Sequence, residues 1–309
     1  MNPSKSKLFK IVLMIIRTIL QLINVVVIIW LLVLHFIIKE QTYSDSIRYY
    51  IFPLPVIIVI VLIASGFLQK WKYNIILAGL LSIIWLGRSF KFHIPDKIEE
   101  NDLEVVFWNT SRDNNFEVAV TESGGLPDVM VLVELNETNL LKEREKYPNY
   151  YFYKSSKELI IFSKTPLIIE SENKSKFGTI VVNFITSGIN FYAVDVQGSI
   201  DVPRKWELDY INELNIKKSN TIVLGDFNIP FESKYLNQIK NDFQHAFNKK
   251  GNGLRETWFY NLPILSLDHI WVSKDLRILK TQKLFTTKSD HSMLKTYIKR
   301  KFKKYKAPL

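Results

Sequence analysis

Two short runs of the chain gather side chains suited to acid–base and metal-ion chemistry: Gly225-Asp226-Phe227-Asn228 and Ser289-Asp290-His291. Three more polar residues stand at the ends of apolar runs: Asn109 after Val105-Val106-Phe107-Trp108, Glu134 after Val129–Val133, and Asp268 before His269-Ile270-Trp271-Val272. Glu134 and Asp290 are hard oxygen donors suited to Mg2+ or Mn2+, and Asn109 adds a neutral oxygen. His291 titrates near neutrality and could act as a general base. Asp268 could hold that imidazole's other nitrogen, fixing its tautomer and orientation. Asp226 and Asn228 are two residues apart, so an extended chain would point both to one face, where they could position a water and a phosphoryl oxygen.

Such groups must be delivered by a scaffold. Short β-branched runs at residues 103–108, 129–134, 159–163, 179–185, 191–196, 221–225, 268–272 and 294–298 have the length and composition of strands. Residues 202–216 have a helical pattern, with Pro203 in the first turn. Strands interspersed with fewer helices predict a layered α/β or α+β domain. A strand that is apolar along its length and ends in a carboxylate or amide places that group at a sheet edge, where α/β proteins build their sites. Taken singly, a strand-terminal Asp or Asn is most often a turn former. His269 alternates with Asp268 and is expected to face away from it as a structural residue. His35 and His245 have no carboxylate near them in the sequence and are also read as structural.

The chain has 309 residues, a formal net charge of +11 and no cysteine. Disulfides, thiolate metal ligands and cysteine nucleophiles are therefore excluded. The positive balance favours anionic partners, although basic residues also collect beside membrane spans.

In order along the chain, Val106-Phe107-Trp108-Asn109, the run ending Val133-Glu134, Gly225-Asp226-Phe227-Asn228, Leu267-Asp268-His269-Ile270 and Ser289-Asp290-His291 resemble the successive motifs of the endonuclease/exonuclease/phosphatase superfamily. The likeness covers about two hundred residues, from Leu103 to Ile298, and looks like the membrane-anchored bacterial branch. The resemblance implies an α/β four-layer sandwich, two packed mixed sheets flanked by helices. It implies in-line attack of water on a phosphoester, with Asn109, Glu134 and Asp290 on a divalent ion and with Asp226, Asn228, Asp268 and His291 as catalytic residues. Many members carry His on the strand that here reads Phe191-Tyr192-Ala193-Val194-Asp195-Val196-Gln197, where this chain has Asp195. A carboxylate there is no cationic phosphate contact; it could bind a second metal, orient another group, or be structural. Arg204 falls where members often begin a helix with Arg, in a packing or ion-pair role.

Ahead of this domain lie three apolar runs, residues 9–38, 51–68 and 73–86. A span needs about 20 apolar residues to cross roughly 30 Å of hydrocarbon, so three transmembrane helices are expected. The expected organisation is a membrane domain at 1–92, a linker at 93–102, the sandwich at 103–298 and a basic tail at 299–309. Lys5, Lys7, Lys10, Arg17, Lys70 and Lys72 place the N-terminus and second loop in the cytoplasm and the catalytic domain outside it, while Arg88 and Lys91 argue the other way. The expected partners are a phosphoester substrate (lipid headgroup, small phosphoester or nucleic acid) and the lipid bilayer, with no protein partner. The expected function is that of a membrane-anchored, metal-dependent phosphoesterase, the alternatives being an extracytoplasmic nuclease or a catalytically silent membrane binding protein.

Overall fold

The computed structural model of the chain describes residues 3–66, 71–112, 115–135, 140–198, 200 and 202–299. The chain divides into two compact units, Met1–Arg88 and Ser89–Leu309.

The first unit is helical: α1 (Pro3–Val33) runs into a π-helical turn at Leu34–Ile38, followed by α2 (Tyr43–Ile51), α3 (Leu54–Gly66) and α4 (Trp71–Ser89). Thr42 and Asp45 form a reciprocal capping box that starts α2. Ile28, Leu31, Ile57, Val61, Ala78 and Leu81 hold α1, α3 and α4 together. Among the described residues, one helical run, Leu8–Ile38, is long and apolar enough to cross a membrane. The second run expected to span lies mainly in α3, which is long and apolar enough only together with α2, as a broken span or a re-entrant loop. It meets α2 at a 61° bend, beside Pro53, and Phe67 and Leu68 lie outside the described residues. The third run, in α4, is flanked by Lys72 and Asn74 at one end and Arg88 and Ser89 at the other. That leaves an apolar stretch of only about 20 Å.

The second unit starts earlier than residue 103. A short strand β1 (Phe90–Lys91) leads into it, and Asp96 is tied to Lys250 and Arg277 at 3.1 and 3.0 Å. The expected linker at 93–102 is thus packed against the domain by ion pairs. Next come β2 (Leu103–Asn109), α5 (Phe116–Glu122), β3 (Val129–Val133), α6 (Leu140–Lys146), β4 (Tyr151–Lys154), β5 (Ile160–Ser163), β6 (Ile168–Lys174), β7 (Ile180–Thr186) and β8 (Ile189–Asp195). The chain continues through α7 (Arg204–Glu213), β9 (Thr221–Asp226), α8 (Asn237–Asp242), β10 (Phe243–His245), α9 (Ala246–Lys250), β11 (Gly253–Leu254), β12 (Asp268–Ser273), β13 (Arg277–Leu284) and β14 (Met293–Lys299). Helix α7 is shorter than expected, with Pro203 capping it from outside. Of the expected basic tail, Lys299 ends β14 and pairs with Glu99 and Asp102; residues 300–309 lie outside the described residues.

Two six-stranded sheets form the domain, in the orders β13-β14-β2-β3-β5-β4 and β10-β12-β9-β8-β7-β6. Both are mixed, because β2 runs parallel to β3 and β8 parallel to β9 while the other pairs are antiparallel. Strand alternation explains why they stack. Leu103, Val105 and Phe107 of β2 face an inner core shared with Ile222 and Leu224 of β9 and with Phe191 and Ala193 of β8. Their neighbours Val106 and Trp108 face outward onto Phe116 and Ala119 of α5. The central strands are buried on both faces, as parallel strands covered by helices must be. On the other side Leu208 and Ile211 of α7 and Ile239 of α8 line a cavity with Phe227 and Phe243. The result is the expected four-layer α/β sandwich.

Candidate functional site

Three aspartates lie side by side at one end of the second sheet. Asp195 is opposite Asp226 across the parallel β8–β9 pair, and Asp226 is opposite Asp268 across the antiparallel β9–β12 pair. Each continues the inward-facing set of its strand, after Ala193, Leu224 and before Ile270. From the facing sheet, Asn109 ends the inward set of β2 and donates from Nδ2 to Asp226 Oδ2 at 2.9 Å. The strand ends of both sheets thus converge on one buried polar cluster.

His291 completes it. Its Nδ1 lies 2.9 Å from Asp268 Oδ2, and its Nε2 is 4.0 Å from Asp290 Oδ1. The imidazole is held from its backbone as well: Trp108 Nε1 donates to the His291 carbonyl at 3.0 Å, and His291 N donates to Ser289 Oγ at 3.0 Å. Ser289 Oγ in turn donates to the Asn109 carbonyl at 2.8 Å, joining the end of β2 to the turn before β14.

Asp226 and Asn228 come together differently from the extended geometry expected. Asn228 has φ 48° and folds back, its N donating to Asp226 Oδ1 at 2.7 Å and its Nδ2 reaching Asp226 Oδ2 at 3.2 Å and the Val196 carbonyl at 2.8 Å. The strand ends at Asp226, and the left-handed residue two positions on, a conformation Asn tolerates, turns the amide back over the carboxylate. Glu134 (φ 53°), Ser111 (φ 54°) and Arg112 (φ 63°) are left-handed too. For such residues this backbone costs on the order of 1 kcal/mol or more each, strain that collects where side chains must be aimed.

The carboxylates crowd one another. Burial raises the proton affinity of Asp226, the neighbouring Asp268 raises it further, and the pKa reaches about 8 despite the opposing His291 and Asn109. Burial works against the charged imidazole of His291, but Asp268, Asp226 and Asp290 outweigh it and push the pKa up to about 10. One oxygen of Asp268, Oδ1, is buried with no hydrogen-bond partner among the described residues. The cluster therefore favours an imidazolium beside a carboxyl group that exchanges its proton near neutral pH.

The expected metal donors lie beside this cluster without forming one contact group of their own. Asp290 accepts from Trp258 Nε1 at 2.8 Å and from Ser111 Oγ. Glu134 is half-buried, its Oε2 3.5 Å from Arg112 Nε; its carbonyl accepts from Thr110 Oγ1 and from the Arg112 amide. Among the described residues, the ligand atoms that lie within 4.8 Å of one another are instead those of Asp226, Asp268 and His291. A direct Asp268–His291 hydrogen bond already occupies that trio, so it reads better as a proton relay than as a metal cage. The donor set still suits a divalent cation: Glu134, Asp226, Asp268 and Asp290 outnumber the adjacent positive groups, and hard oxygens suit Mg2+ or Mn2+.

Other residues contribute, and of these Ser111, Arg112 and Lys157 escape a reading of the sequence. Ser111 and Arg112 directly follow Asn109, and their positive φ is invisible in the residue types. Trp258 comes from the run preceding Asp268, and its neighbour Thr257 accepts the Asp268 amide at 3.2 Å. Lys157, in the turn before β5, pairs with Asp195 at 3.2 Å; nothing local marks it. His269 faces away from the cluster as expected, its Nδ1 3.1 Å from His245 Nε2 and its Nε2 3.0 Å from the Ile229 carbonyl. Arg204 opens α7 as expected.

Residues 106–291 match the model of the Endonuclease/Exonuclease/phosphatase family. No curated protein matches the chain. Among solved structures, the chain is similar to an endonuclease/exonuclease/phosphatase from Bacteroides vulgatus, with 16% identity and a TM-score of 0.51 over 65% of this chain and 100% of that one. It is also similar to a family protein from Bacteroides thetaiotaomicron (15% identity, TM-score 0.50, 65% of this chain and 98% of that one). A mannosyl-6-phosphatase from the same organism gives 17% identity and a TM-score of 0.50 over 64% of this chain and 100% of that one. At these identities the likenesses speak to the fold.

Proposed function

Because the chain belongs to the endonuclease/exonuclease/phosphatase family, whose members are hydrolases acting on phosphoester bonds, we propose that it hydrolyses a phosphomonoester or phosphodiester by in-line attack of water. The observation that carries this reading is the Asp226–Asp268–His291 cluster, joined to Asn109 across the two sheets. Asp226, with its raised proton affinity, is suited to accept the proton of the attacking water. Asn228 keeps that carboxylate oriented, and its longer bond, from Nδ2 to Asp226 Oδ2 at 3.2 Å, is the one a phosphoryl oxygen would replace. His291, held charged by Asp268, is suited to donate to the phosphoryl group as negative charge builds on it. Glu134, Asp290 and Asn109 would hold Mg2+ or Mn2+, which when bound supplies electrophilic stabilisation of the phosphoryl oxygens.

We place Leu8–Ile38 in the bilayer, since at 1.5 Å per residue this helical run of 31 residues exceeds the roughly 30 Å of a hydrocarbon core. With the basic residues before it on the cytoplasmic side, one crossing leaves the catalytic domain outside. Protease treatment of intact spheroplasts checks this; full protection of the domain overturns it.

The chemical reading is tested with the full chain in detergent micelles. Turnover is followed on p-nitrophenyl phosphate, bis(p-nitrophenyl) phosphate, phospholipid micelles and single-stranded DNA, with Mg2+, with Mn2+ and with chelator. Glu134→Gln and His291→Ala serve as controls. Metal-dependent turnover lost in both variants is expected, and equal turnover in all three proteins removes the proposed site. A steep fall of activity with salt would favour nucleic acid, because each neutralised phosphate releases counterions.

A further inference from the structure

We propose that Lys157, held in the cleft by Asp195, is the cation that binds a phosphoryl oxygen of the substrate, a role that rests on the phosphoesterase reading of the site.

The row Asp195, Asp226, Asp268 places three carboxylates on adjacent strands, about 4.8 Å apart in the pairing direction. Like charges side by side across strands destabilise a sheet. This row is bracketed: His291 pairs with Asp268 at one end, and Lys157 pairs with Asp195 at the other. Lys157 comes from the opposite sheet, in the turn between β4 and β5, so its ammonium crosses the mouth of the inter-sheet gap to reach a strand of the second sheet. The Asp195 side chain is 4% exposed and that of Lys157 25%, so the buried carboxylate acts as a base plate and the ammonium is the solvent-facing member.

Lys157 Nζ has three acceptors: Asp195 Oδ2 at 3.2 Å, the Gly178 carbonyl at 3.2 Å and Gln197 Oε1 at 3.4 Å. The Gln197 amide is neutral, and its contact is the longest. A phosphate oxygen could replace it and gain a charge-assisted hydrogen bond. A phosphoryl anion also needs positive groups in a cleft containing Glu134, Asp195, Asp226, Asp268 and Asp290. Arg112, close to Glu134, is engaged by that residue and by Glu158 at 3.2 Å. Lys157 answers that need, one strand away from Asp226.

The competing explanation is that Lys157 only neutralises Asp195. Lys157→Met alone would not separate the two, because it strands a buried carboxylate and can unfold the domain. The double variant Lys157→Met/Asp195→Asn removes both charges and keeps the local net charge. The full chain in detergent with Mg2+ is titrated with inorganic phosphate, and kcat and KM are measured on p-nitrophenyl phosphate. In the folded double variant the phosphate dissociation constant is expected to rise by about tenfold to hundredfold, the range of one charge-assisted hydrogen bond. Asp195→Asn alone keeps the ammonium but loosens its mount, so its loss of affinity should be clearly smaller than that of the double variant, and Lys157→Arg should keep most of the wild-type affinity. Phosphate affinity in the double variant equal to wild type, or an equal loss in the double variant and Asp195→Asn, overturns the assignment. A wild-type chain that binds phosphate but turns over no phosphoester would sink the hydrolase reading, while the titration would still decide on Lys157.

Discussion

Gly225 offers the sharpest test of how tightly the fold controls the site. A Cβ placed there would lie 1.9 Å from the Val194 carbonyl oxygen and 2.7 Å from its carbon, where Cβ atoms do not come closer than 3.0 Å. Val194 is the register partner of Gly225, and the next pair along is Asp195 with Asp226. The obstacle is backbone within the sheet, so no side chain can swing aside. Gly225→Ala must therefore part β8 and β9 by about 1 Å beside Asp226, the proposed catalytic carboxylate. Overpacking of this kind costs about 1–3 kcal/mol, which for a domain of this size lowers Tm by roughly 2–12 °C. A 1 Å displacement of a reacting group costs about 100-fold in rate, so kcat should fall far more than stability alone would suggest. Gly251→Ala is the control. Its Cβ would meet the Phe247 carbonyl at 2.5 Å beyond the end of α9, a comparable strain on a turn that carries no proposed catalytic group. It should lower Tm while leaving kcat largely intact. Thermal melts by near-UV circular dichroism and kcat on p-nitrophenyl phosphate with Mg2+ decide the matter. A Gly225→Ala protein that melts and turns over like wild type would refute the claim that this contact positions Asp226.

Three further outcomes follow from the same geometry. Asp268→Asn removes the carboxylate that charges and orients His291, so kcat should drop by about 10³–10⁴ with the fold retained; a drop of tenfold or less would show that His291 does not need its partner. Trp258→Phe deletes the donor to Asp290 Oδ2, and loss of such a support to a carboxylate proposed as a metal ligand should raise the Mg2+ concentration for half-maximal activity by about 10–100-fold while kcat at saturating Mg2+ stays close to wild type; an unchanged Mg2+ requirement would count against Asp290 as a ligand. Burial depresses His269 from 6.5 to about 4, and burial also lowers His245, beside it, well below its ordinary range. Both are neutral in the folded chain, so their contribution is intact above pH 6.5 and is lost as pH falls toward 4, by an amount on the order of 3 kcal/mol for His269. Urea unfolding at pH 7 and pH 4.5 should show a steeper loss in wild type than in His269→Gln, and parallel losses would dismiss the pair as the acid-sensitive element.

What can be read in the sequence and what cannot divides along a physical line. Asn109, Glu134, Asp226 and Asp268 each border an apolar run, so the pattern that builds the strand also delivers the polar group to its end. Strands lacking that apolar signature are not legible: β6, reading Ile168-Ile169-Glu170-Ser171-Glu172-Asn173-Lys174, and β13, with Lys280, Gln282 and Lys283, pair at the edges of their sheets. Edge strands need only one apolar face, and their composition looks like loop. The turn at Asn228 departs from the extended expectation because a positive φ leaves no trace in the spacing of Asp226 and Asn228. Apolar runs alone do not fix the membrane spans, because hydropathy ignores the bend at Phe52-Pro53 and the polar ends of α4.

Lys157 is invisible for a deeper reason. Its meaning lies in Asp195, a residue on the opposite sheet and 38 positions away along the chain. Residues that act through the strand carrying them can be found from one stretch of sequence, whereas residues that act through a partner on another layer exist as a site only once the layers close. In this sandwich, groups that form and hold the reacting centre belong mainly to the first kind. The groups that choose the substrate should then be sought among the second, in turns such as the one between β4 and β5 that reach across the gap between sheets.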